Sequence, residues 1–353
     1  MTCVARRTVS DAPRAFPVQM SQLLIITNSY DVTTDLLLDR LGENSAFRLN
    51  CDQLSSYQIR IDNYGINISD PTGRCASSKT LTKAYWRKPF NEENDGEKLW
   101  SKYVDAELRY ALTEMVNLLW MQTRLVLVEP FAERRTGKLL QLRIAEDHFD
   151  VPAYEFLLNH DSRIRDAVVK SLSGEPVGDK VLFTSRARTE DLDRRFPWFI
   201  EQFVEGKKDV TVVFVRSEIF AFELERDFLD KSIDWRQFIS PEQRWNVHAI
   251  PAALHGAIVR YMGILRLDFG RLDFLLDAEG RYWFCEVNPN GQFAWLDLSG
   301  EHGILRAVVN EISPATEHHP IPVRHTLDSC TVCDGDAVTP PLPIRDTVEP
   351  VRD

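Results

Sequence analysis

The chain has 353 residues, 44% hydrophobic and 27% charged, an ordinary composition for a soluble globular protein with room for two or three domains and a sizeable core. The formal net charge of −11 argues against a nucleic-acid partner, because a phosphate-binding surface needs clustered Lys and Arg. No run could span a bilayer, no secretion signal opens the chain, and six scattered cysteines make no disulfide framework, so the reducing cytosol is the expected compartment.

Residues 20–130 are predicted to form a small α/β domain. Residues 1–19 have no hydrophobic period and are expected to be a disordered leader or an over-called start ahead of Met20. The predicted elements are a buried strand at Leu23–Thr27, a helix at Asp31–Leu41 followed by Gly42, short strands at Phe47–Asn50, Tyr57–Asp62 and Ile66–Ser69, the segment Ala84–Phe90, an amphipathic helix at Val104–Met121 and a strand at Leu125–Val128.

Two further units are predicted at residues 131–206 and 207–314. Their predicted elements are a helix at Leu139–Ala145, an extended piece from Pro152, a strand at Ala167–Lys170, a polar loop at Ser171–Val177, a helix end or strand at Phe196–Val204, a hairpin of Val210–Val215 and Ile219–Leu224, and helices at Ile250–Tyr261 and Ile304–Ile312. Residues 315–353 are rich in Pro, His and Asp and are expected to be largely disordered.

Within this tail, Cys330 and Cys333 with nearby His325 are weak candidates for a zinc site. A structural tetrahedral site needs four ligands, usually from two such pairs, and this segment has one pair of cysteines.

A second β-hairpin carries candidate metal ligands. Its strands are Leu272–Leu276 and Tyr282–Val287, with a turn at residues 277–280 that ends in a glycine. Asp273 lies on the first strand, while Glu286 and Asn288 lie two residues apart at the end of the second and so share a face. Hard oxygen ligands of this kind suit Mg²⁺, whose remaining positions are filled by nucleotide phosphates and water. A surface hairpin with ordinary acidic residues is the alternative.

Two lysines are candidates for binding nucleotide phosphates. Lys138 lies at a predicted helix start, where a cation and free N–H groups together favour phosphate. Lys170 ends a β-branched strand just before the polar loop and would act as a point charge directed into a cleft. Each could instead be a solvated surface lysine.

A short segment after these lysines could bind the nucleoside. Backbone groups of Glu201, Gln202, Phe203 and Val204 could contact the adenine edge, and Asp209 could bond the ribose hydroxyls. The alternative is an ordinary strand between two units.

The order of these candidates resembles the ATP-grasp superfamily. Within it, the phrase Glu286-Val-Asn-Pro-Asn-Gly-Gln292 is similar to the microviridin-type graspetide ligases, which use ATP to close side-chain esters and amides in a ribosomally made precursor peptide. Three other segments resemble the same subgroup, and the likeness covers roughly residues 21–313. These segments are Tyr85-Trp-Arg-Lys-Pro89, Asp234-Trp-Arg236 and Gly263-Ile-Leu-Arg-Leu-Asp-Phe-Gly270.

The resemblance implies an ATP-grasp fold preceded by a small α/β pre-ATP-grasp domain at residues 20–130. Residues 131–206 would then be the central, lid-bearing subdomain, and residues 207–314 the C-terminal subdomain with the metal site. The implied cofactors are ATP and Mg²⁺, the latter held by Asp273, Glu286 and Asn288.

In the implied reaction, a substrate Asp or Glu is phosphorylated by ATP to an acyl-phosphate, and a hydroxyl or amine of the same peptide then displaces phosphate. Lys138 and Lys170 would hold the phosphates, and the loop Ser171–Val181 would close over the site and exclude water.

The implied partner is a precursor peptide with a leader and an acid-rich core, and a homodimer is left open. Arg87, Lys88 and Arg236, which lie beside tryptophans, are candidates for contacting this peptide, because Arg and Lys can pair with carboxylates or stack on rings. Arg216 and Asn290 are further candidates for substrate contacts.

The chain departs from the family pattern at two positions. Relatives usually carry Arg where Thr211 stands, and the missing charge could come from Arg216, Arg266 or Arg271, of which Arg271 is placed in the catalytic set. Lys88 replaces the second Arg of an aromatic-Arg-Arg-Pro segment and loses bidentate carboxylate geometry.

Two other functions stay open. The first is an ATP-grasp ligase that joins an amino acid to a small molecule or to a protein tail. The second is a non-catalytic ATP-binding module that recognises a peptide, which the retention of both lysines and all three metal-ligand candidates disfavours.

Overall fold

The computed structural model describes residues 20–42, 45–89, 101–122, 124–174, 183–226 and 245–314. The strands are β1 (Met20–Ser21), β2 (Leu23–Thr27), β3 (Ala46–Asn50), β4 (Gln58–Asp62), β5 (Gly65–Ser69), β6 (Cys75–Ser77), β7 (Lys83–Trp86), β8 (Leu125–Val126), β9 (Tyr154–Leu157), β10 (Asp166–Lys170), β11 (Ser185–Arg188), β12 (Trp198–Gln202), β13 (Lys208–Val215), β14 (Glu218–Glu225), β15 (Asn246–Val247), β16 (Phe269–Leu276) and β17 (Tyr282–Asn288). The helices are α1 (Val32–Leu41), α2 (Ser101–Met121), α3 (Ala132–Arg135), α4 (Lys138–Ala145), α5 (Ala252–Leu265) and α6 (Ile304–Ile312). This mixture confirms the predicted α/β class.

The first parallel sheet is built around β2, in the order β3-β2-β7-β8. All five residues of β2 are buried, as predicted from its continuous apolar run. Its side chains alternate between two cores: Leu23 and Ile25 belong to one, and Leu24 and Ile26 to the other. The predicted helix follows directly as α1, with the Asp31 side chain accepting a hydrogen bond from the Thr33 N–H as its N-cap.

The rest of residues 20–130 completes this unit. A second sheet has the order β1-β6-β5-β4, and α2 packs Met115, Val116 and Leu119 into the core beneath it. The strand predicted at Leu125–Val128 is shorter than expected. It ends at Val126, because Leu127 has a φ of 64°, a left-handed conformation that interrupts an extended strand.

Two more sheets follow along the chain. The central sheet has the order β11-β10-β12-β9 and is antiparallel, which resolves the ambiguous segment Phe196–Val204 into a strand. The last sheet has the order β15-β14-β13-β16-β17, and both predicted hairpins lie in it. Its core packs against α5 through residues such as Ile258 and Met262.

Each sheet draws its strands from one of the predicted units 20–130, 131–206 and 207–314, which supports that division, although its boundaries stay predictions. None of the helices in the described ranges is long and apolar enough to cross a membrane. The predicted leader 1–19, the tail 315–353 and the candidate zinc ligands Cys330, Cys333 and His325 lie outside the described residues.

One buried guanidinium connects the first unit to the last. Arg87 follows β7, and its side chain is fully buried. Its Nη1 donates to the backbone oxygen of Asn290 at 3.0 Å and to the side-chain oxygen at 2.9 Å, and its Nη2 donates to the side chain of Gln292. Its Nε lies 3.9 Å from the Asp31 carboxylate. This arginine therefore joins the start of α1 to the loop that follows β17.

We expect Arg87→Met to lower the free energy of unfolding by about 3–5 kcal/mol, because it leaves buried polar partners without their cation. The measurement is urea or thermal unfolding beside Arg60→Met, whose side chain is 76% exposed and should change little. Equal stability of the two variants would show that Arg87 does not join the units.

Candidate active site

A cleft lies between the central sheet and the last sheet, and most of the residues proposed from sequence line it. They are Lys138 on α4, Lys170 on β10, Glu201, Gln202, Phe203 and Val204 at and after the end of β12, Asp209 on β13, Arg271 and Asp273 on β16, and Glu286 on β17. Residues separated by more than 140 positions in the chain therefore meet in one place.

The described part of the cleft is lined by equal numbers of acidic and basic side chains. Among the described residues that line it, four cations face four carboxylates. The pairs are Lys138 Nζ–Glu286 Oε2 at 3.4 Å, Lys170 Nζ–Glu201 Oε2 at 2.5 Å, Arg226 Nε–Asp209 Oδ2 at 3.5 Å and Arg271 Nη2–Asp273 Oδ2 at 2.9 Å. Each charge is thus compensated within the protein, as partly buried charges require.

Helix α4 is attached to β17 by a side-chain amide. Buried Gln141 donates from Nε2 to the Val287 carbonyl at 2.9 Å and accepts from the Val287 N–H at 3.0 Å. The helix begins at Lys138, three residues earlier, so this double hydrogen bond holds its first turn beside the metal-ligand candidates. Lys138 Nζ also donates to the Ser171 carbonyl at 2.7 Å, at the start of the polar loop.

The three metal-ligand candidates converge as the hairpin pattern predicts. Asp273 on β16 pairs directly with Glu286 on β17, and a β-bulge follows Asp273. Asn288 lies two residues after Glu286, on the same face, and its Nδ2 donates to Glu286 Oε1 at 3.0 Å. The hydroxyl of Thr211, across from Asp273 on β13, donates to Asp273 Oδ1 at 2.7 Å and orients that carboxylate.

The charge state of Glu286 suits a divalent cation. Burial would raise its pKa, but the Lys138 ammonium, the hydrogen bond from Asn288, and the charges of Lys170 and Arg271 hold it at about 2. The carboxylate therefore stays ionised at neutral pH. Two carboxylates and one amide oxygen are ligands that Mg²⁺ accepts. Among the described residues, no group of three or more His, Cys, Asp or Glu side chains is placed to hold a metal ion.

The structure distinguishes the three arginines that could compensate for Thr211. Arg271 lines the cleft, donates to Asp273, and donates from Nη1 to the Gln292 carbonyl at 3.2 Å. Arg216 lies in the turn after β13, about 17 Å along the strand from Thr211, and forms ion pairs with Glu311 and Asp268. Arg266 ends α5 in a left-handed conformation. Arg216 does not line this cleft, and its predicted contact with substrate stays a prediction.

Backbone groups at the end of β12 and in the hinge that follows it (residues 203–206) already have partners in the protein. The N–H of Gln202 donates to the Ala153 carbonyl at 2.7 Å, and the N–H of Phe203 donates to the Asp166 carbonyl at 3.0 Å. The side chain of Glu201 binds Lys170. These groups are already bonded within the central sheet, and the predicted contact of this segment with adenine stays a prediction.

Two residues predicted to contact the peptide are buried. Arg87 and Asn290 are 0% and 2% exposed and hydrogen-bond each other, so neither presents a free group to a docked peptide in this conformation. Lys88 is partly exposed and has a φ of 43°. Burial, reinforced by the neighbouring Arg87 charge, lowers its pKa. Arg236 lies outside the described residues, as does the second half of the loop Ser171–Val181.

Several residues that line the cleft were not proposed from sequence, among them Arg226, Trp245 and Cys285. For Arg226, the hairpin register was a usable signal. Asp209 pairs with Leu224, and the strand period then places residue 226 beside Asp209 on the same face. Trp245 and Cys285 carry no such pattern.

No protein-family model matches the chain, and no curated protein matches it. Its fold is similar to several solved structures. A RiPP-associated ATP-grasp ligase from Chryseobacterium gregarium, solved with ADP and a leader and core peptide, has 21% identity and a TM-score of 0.72 over 82% of this chain and 96% of its own. The macrocyclase MdnC from Microcystis aeruginosa MRC, solved with the precursor peptide MdnA, has 22% identity and a TM-score of 0.69 over 82% and 98%. These similarities confirm the predicted ATP-grasp fold.

The Lys170–Glu201 pair gives a pH-dependent prediction. Burial would lower the pKa of Lys170, but Glu201 raises it above its ordinary value. The favourable contribution of the wild-type pair is therefore complete below about pH 10.4, the lysine pKa in unfolded chains. Glu201→Gln removes the carboxylate that is hydrogen-bonded to this buried ammonium, so the Lys170 pKa should fall and the variant should lose about 3–5 kcal/mol at neutral pH.

As pH rises toward about 10, the Gln variant can release the Lys170 proton, so its deficit relative to wild type should shrink. Thermal unfolding from neutral pH upward measures this difference. Glu205→Gln, at an exposed Glu beside Lys207, is the matched control. A deficit that is constant over this range would show that the Lys170 charge is not what Glu201 stabilises.

Proposed function

We propose that this chain, which has the ATP-grasp fold, is an ADP-forming ligase that closes ester or amide links between side chains of a ribosomally made precursor peptide. The observation that carries this proposal is the meeting of Lys138, Lys170, Asp273 and Glu286 in one cleft, with Asn288 hydrogen-bonded to Glu286. Phosphate-binding cations and Mg²⁺ ligands are the parts that phosphoryl transfer from ATP requires.

The chemistry of the cleft walls supports one orientation of the nucleotide. We assign the adenine to the apolar end formed by Val168, Phe274 and the hinge at Val204. The ribose then lies near Asp209, and the phosphates lie toward Lys138 and Lys170. Mg²⁺ bound by Asp273, Glu286 and Asn288 would neutralise charge on the phosphate oxygens.

In the proposed reaction, a carboxylate oxygen of a peptide Asp or Glu attacks the γ-phosphorus of ATP. The bond from that phosphorus to the bridging oxygen breaks, and ADP leaves. The resulting acyl-phosphate is attacked at its carbonyl carbon by a Ser or Thr hydroxyl or a Lys amine of the same peptide, which loses a proton as phosphate leaves. The enzyme supplies positioning and charge, and its residues form no covalent intermediate.

Arg271 is the cation best placed to bind the substrate carboxylate. It lies beside Asp273 at the phosphate end, and its planar guanidinium matches carboxylate and phosphate oxygens in pairs. The choice of a peptide as substrate is supported by the likeness to ligases that were solved with leader, core or precursor peptides. An acid-rich core, a homodimer and a cytosolic location stay predictions.

The decisive experiment uses the short Asp/Glu- and Thr/Ser-rich peptide that we expect to be encoded beside this gene. Incubation with ATP and Mg²⁺ should remove one water per link, visible by mass spectrometry, with one ADP released per link. ADP release that requires a free amino acid instead of the peptide would favour the ligase that acts on small molecules.

The metal assignment predicts that Asp273→Asn and Glu286→Gln each reduce peptide-dependent ADP release about 100-fold or more, the scale on which one electrostatic contact matters. Asn288→Ala should also reduce it. Glu279→Gln, in the turn of the same hairpin and 68% exposed, is the control and should keep normal turnover. Normal turnover of both carboxylate variants at limiting Mg²⁺ would remove these residues from the metal site.

The lysine assignment predicts weaker ATP binding in Lys170→Met and Lys138→Met. Loss of one charge-assisted contact costs about 1.5–3 kcal/mol, which is roughly a 10- to 150-fold change in Kd. Isothermal titration with a non-hydrolysable ATP analogue measures it. Lys207→Met, at a lysine that is 55% exposed, is the control. If both cleft variants bind the ATP analogue with unchanged affinity, Lys138 and Lys170 do not bind its phosphates.

A further inference from the structure

Arg226 lies at the nucleoside end of the cleft. It follows β14 directly, and its backbone N–H donates to the Lys207 carbonyl at 3.0 Å. Its side chain is 11% exposed and lines the cleft, and its Nε lies 3.5 Å from the Asp209 carboxylate, which is 15% exposed. A guanidinium and a carboxylate thus stand together where the ribose is placed.

The backbone next to the hinge makes room for this guanidinium. A Cβ at Gly206 would lie 3.3 Å from an Arg226 Nη atom and 3.0 Å from a methyl group of Leu275, both closer than ordinary contacts. A side chain at position 206 would therefore press on Arg226 and Leu275. The guanidinium lies between the hinge and the acid at Asp209.

The two side chains complement a vicinal diol. Each ribose hydroxyl can donate one hydrogen bond and accept another. Asp209 can only accept, and Arg226 can only donate. A carboxylate alone satisfies the protons of the diol but not its lone pairs, whereas the pair satisfies both.

We propose that Arg226 is a specificity-determining residue that, together with Asp209, binds the 2′,3′-diol of the nucleotide ribose. This inference rests on the proposed nucleotide site but not on the peptide substrate. It predicts selection of ribonucleotides over deoxyribonucleotides, because a nucleotide that lacks one hydroxyl leaves a partly buried charged group without its partner.

The test is calorimetric titration of the protein, in buffer that contains Mg²⁺ and no peptide, with ADP, 2′-deoxy-ADP and 3′-deoxy-ADP. Wild type should bind ADP at least about 10-fold more tightly than either deoxy analogue. Arg226→Met should bind ADP about 10-fold more weakly and distinguish the three nucleotides by less than about 3-fold. Arg226→Lys, which keeps the charge but not the planar fork, should retain part of the selectivity. Arg195→Met, at an arginine that is 84% exposed, should match wild type.

The ratio of affinities separates this role from a structural one. If Arg226→Met weakens the binding of all three nucleotides by the same factor, so that the wild-type ratio of affinities is kept, Arg226 does not bind the diol. Wild type that fails to discriminate also overturns the proposal. If Arg226→Met does not fold, two other variants replace it: Arg226→Lys, and Gly206→Ala, whose added methyl group crowds the guanidinium. If both variants keep the full wild-type preference for ADP over the deoxy analogues, the role proposed for Arg226 is wrong. Wild type that binds no ADP at all would instead overturn the nucleotide site itself.

Discussion

The constraint on which the described structure depends is the cost of burying charge. An ion taken out of water is tolerated in a protein interior only when partners replace its hydration. In the cleft, each of the four cations has a carboxylate within 3.5 Å, so the site as a whole carries no net charge. A nucleotide brings several negative charges and a metal brings two positive ones. Binding of both, as proposed above, would have to exchange internal partners, and Lys138 and Arg271 are suited to this because their partners are the metal-ligand candidates.

The same constraint acts at Arg87, where it connects distant parts of the chain. The guanidinium is fully buried and binds the side chain of Gln292, whose backbone carbonyl accepts from Arg271, which in turn donates to Asp273. A continuous line of polar contacts thus runs from the first unit to the metal-ligand candidates. The first unit is consequently part of the support for the site, because the loop after β17 is held between it and the hairpin.

Local patterns in the sequence predicted the elements and most of the cleft, since strand periodicity and turn residues act over short distances. Leu23–Thr27, α1 and the hairpin with Asp273 and Glu286 formed as expected. The sequence did not predict the burial of charged side chains whose partners lie far along the chain. Arg87 was expected to contact peptide because it stands beside a tryptophan, but its partners lie some 200 residues away and bury it. Burial of this kind is a tertiary property that no local pattern carries.

Thr211 shows why a site is better described by a sheet face than by a position in a motif. Thr211 and Asp273 are cross-strand partners, and Arg271 projects to the same face two residues before Asp273. A guanidinium that starts from either strand can therefore reach the region of the Asp273 carboxylate. The threonine hydroxyl fixes one oxygen of Asp273 while Arg271 binds the other. Because both strands contribute to one surface, a guanidinium from the neighbouring strand lies beside Asp273 although position 211 holds a threonine.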